Sequence, residues 1–164
     1  MVFSGRQYNL FGDIYLAMQR LNLPKQYEFE FRRQHDKLQI LDPFRQRFVV
    51  LTPEEWVRQN FAQFLVQELK YPRGHMAIEQ TLEYHGSLIR ADIVVRQRSG
   101  IPLLIVECKA PEINIKQTIF DQLARYNRVL KAQYLVVTNG LLHYCYVIDQ
   151  NGENHRFVEA IPPY

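Results

Sequence analysis

The amino-acid sequence predicts a mixed α/β fold in which helices flank a central sheet. Residues 51–71 repeat apolar side chains at helical spacing, and three strand-like segments follow between residues 76 and 107. A second helical segment then leads to a buried strand at residues 134–138. The chain has 164 residues, of which 47% are hydrophobic, so it can form one domain with a single core.

The region before residue 52 carries weaker signals. Residues 14–23 are predicted to form a short helix that Pro24 ends. Extra N-terminal strands are predicted from alternating or β-branched segments at residues 27–31, 38–41 and 48–51. We therefore predict that residues 1–41 form an N-terminal extension packed on a core domain of residues 42–164.

The first core helix has the clearest start in the chain. Thr52 is a favourable N-cap, Pro53 suits the first helical position, and Glu55 completes a capping-box pattern. Pro72 and Gly74 are expected to stop the helix. The predicted buried face consists of Val57, Phe61, Phe64, Leu65 and Leu69.

A strand meander, a second helix and two further strands are predicted after this helix. Turns are expected at Gly86-Ser87, Ser99-Gly100 and Asn139-Gly140. The predicted strands span residues 76–84, 89–96, 101–107, 134–138 and 141–149, with a short edge strand near Phe157. The second helix is predicted over residues 117–131, with one apolar face.

Three charged residues are predicted to meet at the end of the third meander strand. Glu107 and Lys109 are two positions apart, so they share a face, and a hairpin at residues 99–100 brings Asp92 roughly opposite Glu107. Two close carboxylates repel each other, and a hard divalent cation such as Mg²⁺ or Mn²⁺ relieves that repulsion. A cation, two carboxylates and a lysine are the parts needed for phosphodiester hydrolysis.

Asp92 followed by Glu107-Cys108-Lys109 resembles the PD-(D/E)xK nuclease superfamily. The segments LTPEEWVRQ, RADIVV, LLIVECKAP, QLARYN and YLVVTNG resemble, in that order, the N-terminal nuclease domain of type I restriction enzyme R subunits. This resemblance covers roughly residues 42–148. It implies a restriction-endonuclease-like core and a metal-dependent endonuclease acting on DNA.

The resemblance also implies roles for the central residues. Asp92 and Glu107 would be metal ligands, with the backbone carbonyl of Cys108 as a third. Lys109 would be the catalytic lysine. The position before Asp92 holds Ala91, where the superfamily usually has proline. A solvated ion pair at a strand end is the alternative reading of Glu107 and Lys109.

The two helices carry the remaining candidates. Gln122 and Tyr126 match a Q-x-x-x-Y pattern that lies near the site in related nucleases. Glu55 matches the acidic residue of the first core helix, with Arg58 one turn on as its partner. For Glu55 the alternative is a helix-capping role, and Glu54, nearer the centre of the apolar face, competes for the site role. Helix packing is the alternative for Gln122 and Tyr126.

Basic residues offer weak evidence for DNA contacts. Arg58 and Arg90, together with Tyr126, are candidates, although a solvated basic face is equally common. The formal net charge of +3 permits a polyanionic partner without requiring one.

Several function classes receive no support from the sequence. The two cysteines lack a zinc-ligand or disulfide pattern, and no segment is expected to be a signal peptide or membrane span. We expect a cytoplasmic protein with no membrane partner. A phosphate-loop motif is absent, so any motor or specificity subunit would be a separate protein. A homodimer is a further expectation, and the alternative function is a catalytically silent nucleic-acid-binding or protein-interaction domain.

Overall fold

The structure, a computed structural model, describes residues 18–84, 86–149 and 154–164. Within these residues lie two sheets, two α-helices and one 3₁₀ helix. The α-helices are α1 (Pro53–Gln67) and α2 (Gln117–Leu130), and the 3₁₀ helix spans Arg73–His75. The strands are β1 (Phe31–Gln34), β2 (Lys37–Asp42), β3 (Arg47–Val50), β4 (Met76–Tyr84), β5 (Ser87–Arg96), β6 (Pro102–Cys108), β7 (Tyr134–Thr138), β8 (His143–Ile148) and β9 (His155–Val158).

The larger sheet has six strands in the order β4-β5-β6-β7-β8-β9. Strands β6 and β7 pair in parallel and the other neighbours pair antiparallel, so the sheet is mixed. Helix α2 makes the crossover between β6 and β7, as a parallel pair requires. The mixed α/β class predicted from the sequence is therefore confirmed.

Each face of the larger sheet carries its own core. On one face, Val57, Phe61 and Leu65 of α1 pack with alternate residues of β5 and β6 such as Ile93 and Val106. On the other face, α2 packs against a second set that includes Val94, Ile105, Leu123, Tyr126 and Val137. Strand β6 is buried on both faces because a helix covers each side.

Helix α1 begins as the sequence predicts, with one difference. Thr52 Oγ1 accepts a hydrogen bond from the Glu55 backbone N–H at 3.0 Å. The carboxylate of Glu55 instead accepts hydrogen bonds from Arg58 and Gln59. Thr52 thus caps the helix, while Glu55 is engaged in the protein interior.

The N-terminal predictions are only partly correct. Residues 14–17 of the predicted helix lie outside the described residues, and residues 18–23 form no helix. The strand expected over residues 27–31 begins only at Phe31, because the hairpin turn at His35-Asp36 sets the register in which β1 pairs with β2. Strands β2 and β3 form as predicted. The three-stranded sheet contains residues from both sides of the predicted division between residues 1–41 and 42–164.

Candidate active site

Strands β5 and β6 bring Asp92 and Glu107 together. Ile93 pairs with Val106, so the next pair in register is Asp92 with Glu107. Directly opposite residues of an antiparallel pair point to the same side. The backbone N–H of Cys108 donates to Asp92 Oδ2 at 2.6 Å, which fixes the aspartate beside the end of β6.

Lys109 completes this acidic cluster. Its Nζ lies 2.6 Å from Glu107 Oε1, and the Glu107 side chain is only 5% exposed. The other carboxylate oxygen, Glu107 Oε2, is buried without a hydrogen-bond partner among the described residues. A buried carboxylate oxygen that lacks a partner is costly, so this atom marks a place where a ligand would be stabilising.

The electrostatics of the cluster oppose two simultaneous negative charges. Burial, followed by the charge of Glu107, raises the pKa of Asp92 to about 7, against the lowering effect of the Cys108 N–H. Burial likewise raises the pKa of Glu107, and the hydrogen bond from Lys109 opposes that rise. For Lys109, burial alone would lower the pKa, but its interaction with Glu107 raises it. Carboxyl pKa values raised by burial and a neighbouring charge are found often at functional sites, and also in structural ion-pair networks.

The donor set fits one hard divalent cation. Asp92 and Glu107 supply carboxylate oxygens, and one of these oxygens has no protein partner. Within the described ranges, no group of three or more His, Cys, Asp or Glu side chains is placed to hold a metal. A cation here would therefore rely on two carboxylates, a backbone carbonyl and water. That set suits Mg²⁺, which keeps several waters when bound to proteins.

The structure places Glu55 in a separate ion-pair network. Arg58 is 2% exposed, and its Nη2 lies 2.5 Å from Glu55 Oε1 and 2.6 Å from Asp42 Oδ2. Arg45 joins the same carboxylates and also lies 2.5 Å from Glu79 Oε2. The pairing of Arg58 with Glu55 agrees with the sequence prediction. A contact between Arg58 and DNA would require this buried network to open.

Glu54, rather than Glu55, faces the acidic cluster. Its side chain is exposed, and its negative charge contributes to the raised pKa values of Asp92 and Glu107. A cavity of about 240 Å³ has Glu54, Glu55, Arg90 and Asp92 in its lining, but the Glu55 carboxylate is held by Arg45 and Arg58. Of the two adjacent glutamates, Glu54 is thus the one placed for a site role.

Arg90 and the α2 residues lie around the site. The Arg90 side chain is 58% exposed, and its charge acts on Glu107. Gln122 Nε2 donates to the Tyr126 hydroxyl, and the Tyr126 ring packs on the α2 side of the larger sheet. Because Glu107 lies between Val106 and Cys108 of the α1-side core, it points to this same α2 side. The structure therefore brings Glu107 and α2 to one face, while Asp92 also lines the cavity beside the start of α1.

Sequence reasoning missed three members of the ion-pair network, which are Asp42, Arg45 and Glu79. Asp42 ends β2, Arg45 lies in the turn after it, and Glu79 lies in β4, so all three are distant from Arg58 in the chain. Glu79 adopts a left-handed backbone conformation, with φ of 50°, at an interruption of the β4–β5 pairing. No local sequence signal links such distant residues.

Comparison with known proteins gives one decisive result. The sequence profile of the family described as type I restriction enzyme R protein N terminus (HSDR_N) matches residues 53–162, about two thirds of the chain. The chain belongs to this family. The match begins with helix α1 and includes Glu54, Asp92, Glu107, Lys109 and the whole of α2. It confirms the resemblance to type I R subunits that the sequence motifs indicated.

Other comparisons add little to the family assignment. A solved structure described as a fragment of an assigned HsdR subunit of a type I restriction enzyme from Vibrio vulnificus YJ016 is similar, with 18% identity and a TM-score of 0.49. The alignment covers 66% of this chain and 23% of that one. No curated protein matches. None of the helices in the described residues is long and apolar enough to cross a membrane.

Proposed function

We propose that this HSDR_N domain is a metal-dependent nuclease that hydrolyses phosphodiester bonds in DNA. The observation that carries the proposal is the convergence of Asp92, Glu107 and Lys109 at the end of β6, with Glu107 Oε2 buried and unpartnered. Family membership supports the same reading, because the family is named for restriction enzymes. The order of helix, meander, helix and strand around the cluster supports a restriction-endonuclease-like core of the PD-(D/E)xK type.

Each side chain of the cluster has a distinct role in this proposal. Asp92 and Glu107 would hold a Mg²⁺ or Mn²⁺ ion together with the Cys108 carbonyl. When bound, such an ion eases the deprotonation of water and offsets charge that develops on the phosphate. Lys109 would hold the attacking water or donate to a phosphate oxygen, since its Nζ already lies against Glu107.

The surrounding residues would complete the site. Glu54 stands at the exposed start of α1, where its carboxylate can accept hydrogen bonds from water bound near Asp92. Arg90 is exposed beside the same cavity and can pair with a phosphate. Gln122 and Tyr126 would line the α2 side. In this proposal Glu55 and Arg58 act as structural supports, because they bond to each other and Arg58 Nη2 also pairs with Asp42.

The biological setting is proposed from the family name alone. A type I R protein N terminus would act in a restriction system in which other subunits or domains provide DNA specificity and translocation. The alignment with the solved HsdR fragment spans less than a quarter of that chain.

Cleavage of supercoiled and linear DNA tests the proposal. Wild-type protein is incubated with Mg²⁺, Mn²⁺ or EDTA beside Lys109→Ala, with Lys116→Ala as a matched control on an exposed lysine before α2. We expect metal-dependent cutting by the wild type and the control, and a loss of at least about a hundredfold in Lys109→Ala.

Other outcomes would contradict the proposal in different ways. Cutting that persists unchanged in Lys109→Ala would show that the lysine is not catalytic or that another nuclease is present. An absence of cutting by folded wild-type protein, on every DNA form and with either metal, would favour a domain that binds without cutting.

A further inference from the structure

A surface of aromatic side chains lies on the α2 side of the larger sheet, beyond the edge of the helix. The rings belong to strands β8 and β9 and to the first turn of α2. We define this aromatic surface as Phe120, Tyr144, Tyr146, His155 and Phe157. Consecutive rings contact one another edge-on, with centroid separations between 4.9 and 6.3 Å.

Strand register aligns this surface with the acidic cluster. Glu107 pairs with Val137 in β7, and Val137 pairs with Tyr144 in β8. Residues paired in this way share a face, so Tyr144 lies in the same row as Glu107, two strands away. Two strand spacings correspond to about 10 Å. The aromatic surface therefore begins about 10 Å from a proposed catalytic carboxylate, on the same side of the sheet.

The rings remain partly accessible, although Phe120 and Tyr146 also pack against the core beneath α2. Phe157 is 50% exposed, His155 is exposed, and the two tyrosines and Phe120 are half-buried. Strand β9 ends the sheet within the described residues, so no further described strand covers Phe157. Exposed aromatic side chains clustered beside a site are more typical of a binding surface than of a core.

A groove of about 740 Å³ adjoins the surface, and Phe120, Tyr146 and His155 contribute to its wall. Two cations, Arg128 and Lys131, and two anions, Asp121 and Asp149, also line it. The charges of these four side chains cancel, so attraction of phosphate groups does not by itself make the groove a nucleic-acid site. The rings give the stronger argument, because every nucleobase has a π face that can stack on them.

We propose that the aromatic surface binds unpaired bases of a nucleic-acid strand that leads into the acidic cluster. This inference rests on the proposed nuclease function, and it adds that the preferred substrate has a single-stranded segment beside the cleaved bond. Paired bases are stacked within a duplex and present their edges, whereas an unpaired base can place its face on a ring. Glu107 and Tyr144 lie in one row at the same end of the sheet, and Val137 between them is buried in the core beneath α2.

Binding measured in EDTA tests the proposal without requiring cleavage. The probe is a fluorescent oligothymidylate of about 20 nucleotides, which exceeds typical single-strand site sizes. A blunt duplex of the same length is the comparison. We expect the full chain to bind the single strand more tightly than the duplex.

Substitutions then identify the surface. Tyr144→Ala and Phe157→Ala should each weaken single-strand binding about five- to a hundredfold, the range found when a stacking ring is removed. Tyr144→Phe keeps the ring and should retain most of the affinity. Tyr164→Ala is the matched aromatic control, since Tyr164 is 40% exposed but packs against Tyr71 and His75 instead. Thermal unfolding of each variant confirms that it is folded.

The results separate this inference from the proposed function. Unchanged single-strand binding in folded Phe157→Ala and Tyr144→Ala would overturn the inference, even if Lys109-dependent cleavage is found. A change of oligomeric state in these variants, with binding unchanged, would also overturn it and assign the surface to a second copy of the chain. Loss of binding in both variants without any cleavage by the wild type would support the surface and contradict the nuclease proposal.

Discussion

Replacement of Asp92 by asparagine should stabilise the protein while it removes a proposed metal ligand. The carboxylate is buried beside Glu107, and burial followed by that charge raises its pKa from 3.8 to about 7. At about 1.4 kcal/mol for each pKa unit, this rise corresponds to a cost of at most about 4 kcal/mol for the charged form. Asparagine avoids the charge, and its carbonyl oxygen can still accept the hydrogen bond from the Cys108 N–H.

The sign of the pH dependence follows from the raised pKa. The folded state holds the Asp92 proton more tightly than the unfolded state, so wild-type stability falls as pH rises from 3.8 to about 7. The gain from Asp92→Asn should therefore grow by about 1.4 kcal/mol per pH unit in that window and stay constant above it. In EDTA, we expect a gain of about 2 to 4 kcal/mol near pH 8 and a smaller gain near pH 5.

Urea unfolding of the wild type and Asp92→Asn at the two pH values measures this effect. Asp121→Asn is the matched control, because Asp121 is exposed on α2 and accepts a hydrogen bond from Gln117. Its stability should change by less than about 0.5 kcal/mol. A gain of equal size at both pH values, or an Asp92→Asn variant that is less stable near pH 8, would refute the electrostatic reasoning.

Three substitutions outside the acidic cluster test the fold that supports it. Arg58→Met should lower the free energy of unfolding by about 3 to 5 kcal/mol, because it leaves the Asp42 and Glu55 carboxylates buried beside fewer cations. A loss below about 1 kcal/mol, measured by urea unfolding, would argue that the ion-pair network does not stabilise the fold. Thr52→Ala should lower the free energy of unfolding by about 1 kcal/mol, because it removes the N-cap hydrogen bond. Thr52→Ser keeps a hydroxyl that can accept this bond and should retain most of the stability. Equal stability of the two variants would contradict the capping role. Gly140→Ala should lower the thermal midpoint, since Gly140 has φ of 80° and an added Cβ would lie 2.6 Å from Leu21 Cδ2; an unchanged midpoint would contradict this geometry.

Local sequence signals predicted most of the larger sheet and both helices. Helix α1 has a cap and an apolar stripe, and β6 and β7 are apolar runs between turn residues. The approach of Asp92 to Glu107 also followed from local rules, because side chains alternate along strands and a tight turn sets the register of a hairpin. These features depend on residues close together in the chain.

Features that depend on distant residues could not be predicted in this way. Helical spacing alone leaves Glu54 and Glu55 as competing candidates, and the choice depends on the distant Arg45, which together with Arg58 holds Glu55 in the ion-pair network. The aromatic surface likewise requires the register of β8 and β9 and the position of α2. The late start of β1 reflects its pairing with β2, which outweighs the alternating pattern of residues 27–31.

The central claim is that Asp92 and Glu107 hold a divalent cation. Calorimetric titration of Mn²⁺ into wild-type protein at neutral pH tests it directly, with Glu107→Gln as the variant and Glu83→Gln, an exposed glutamate of β4, as the matched control. We predict that the wild type and the control bind a single ion with the same affinity, and that Glu107→Gln binds at least about tenfold more weakly. Equal affinity in Glu107→Gln, or no binding by folded wild-type protein, would contradict the claim.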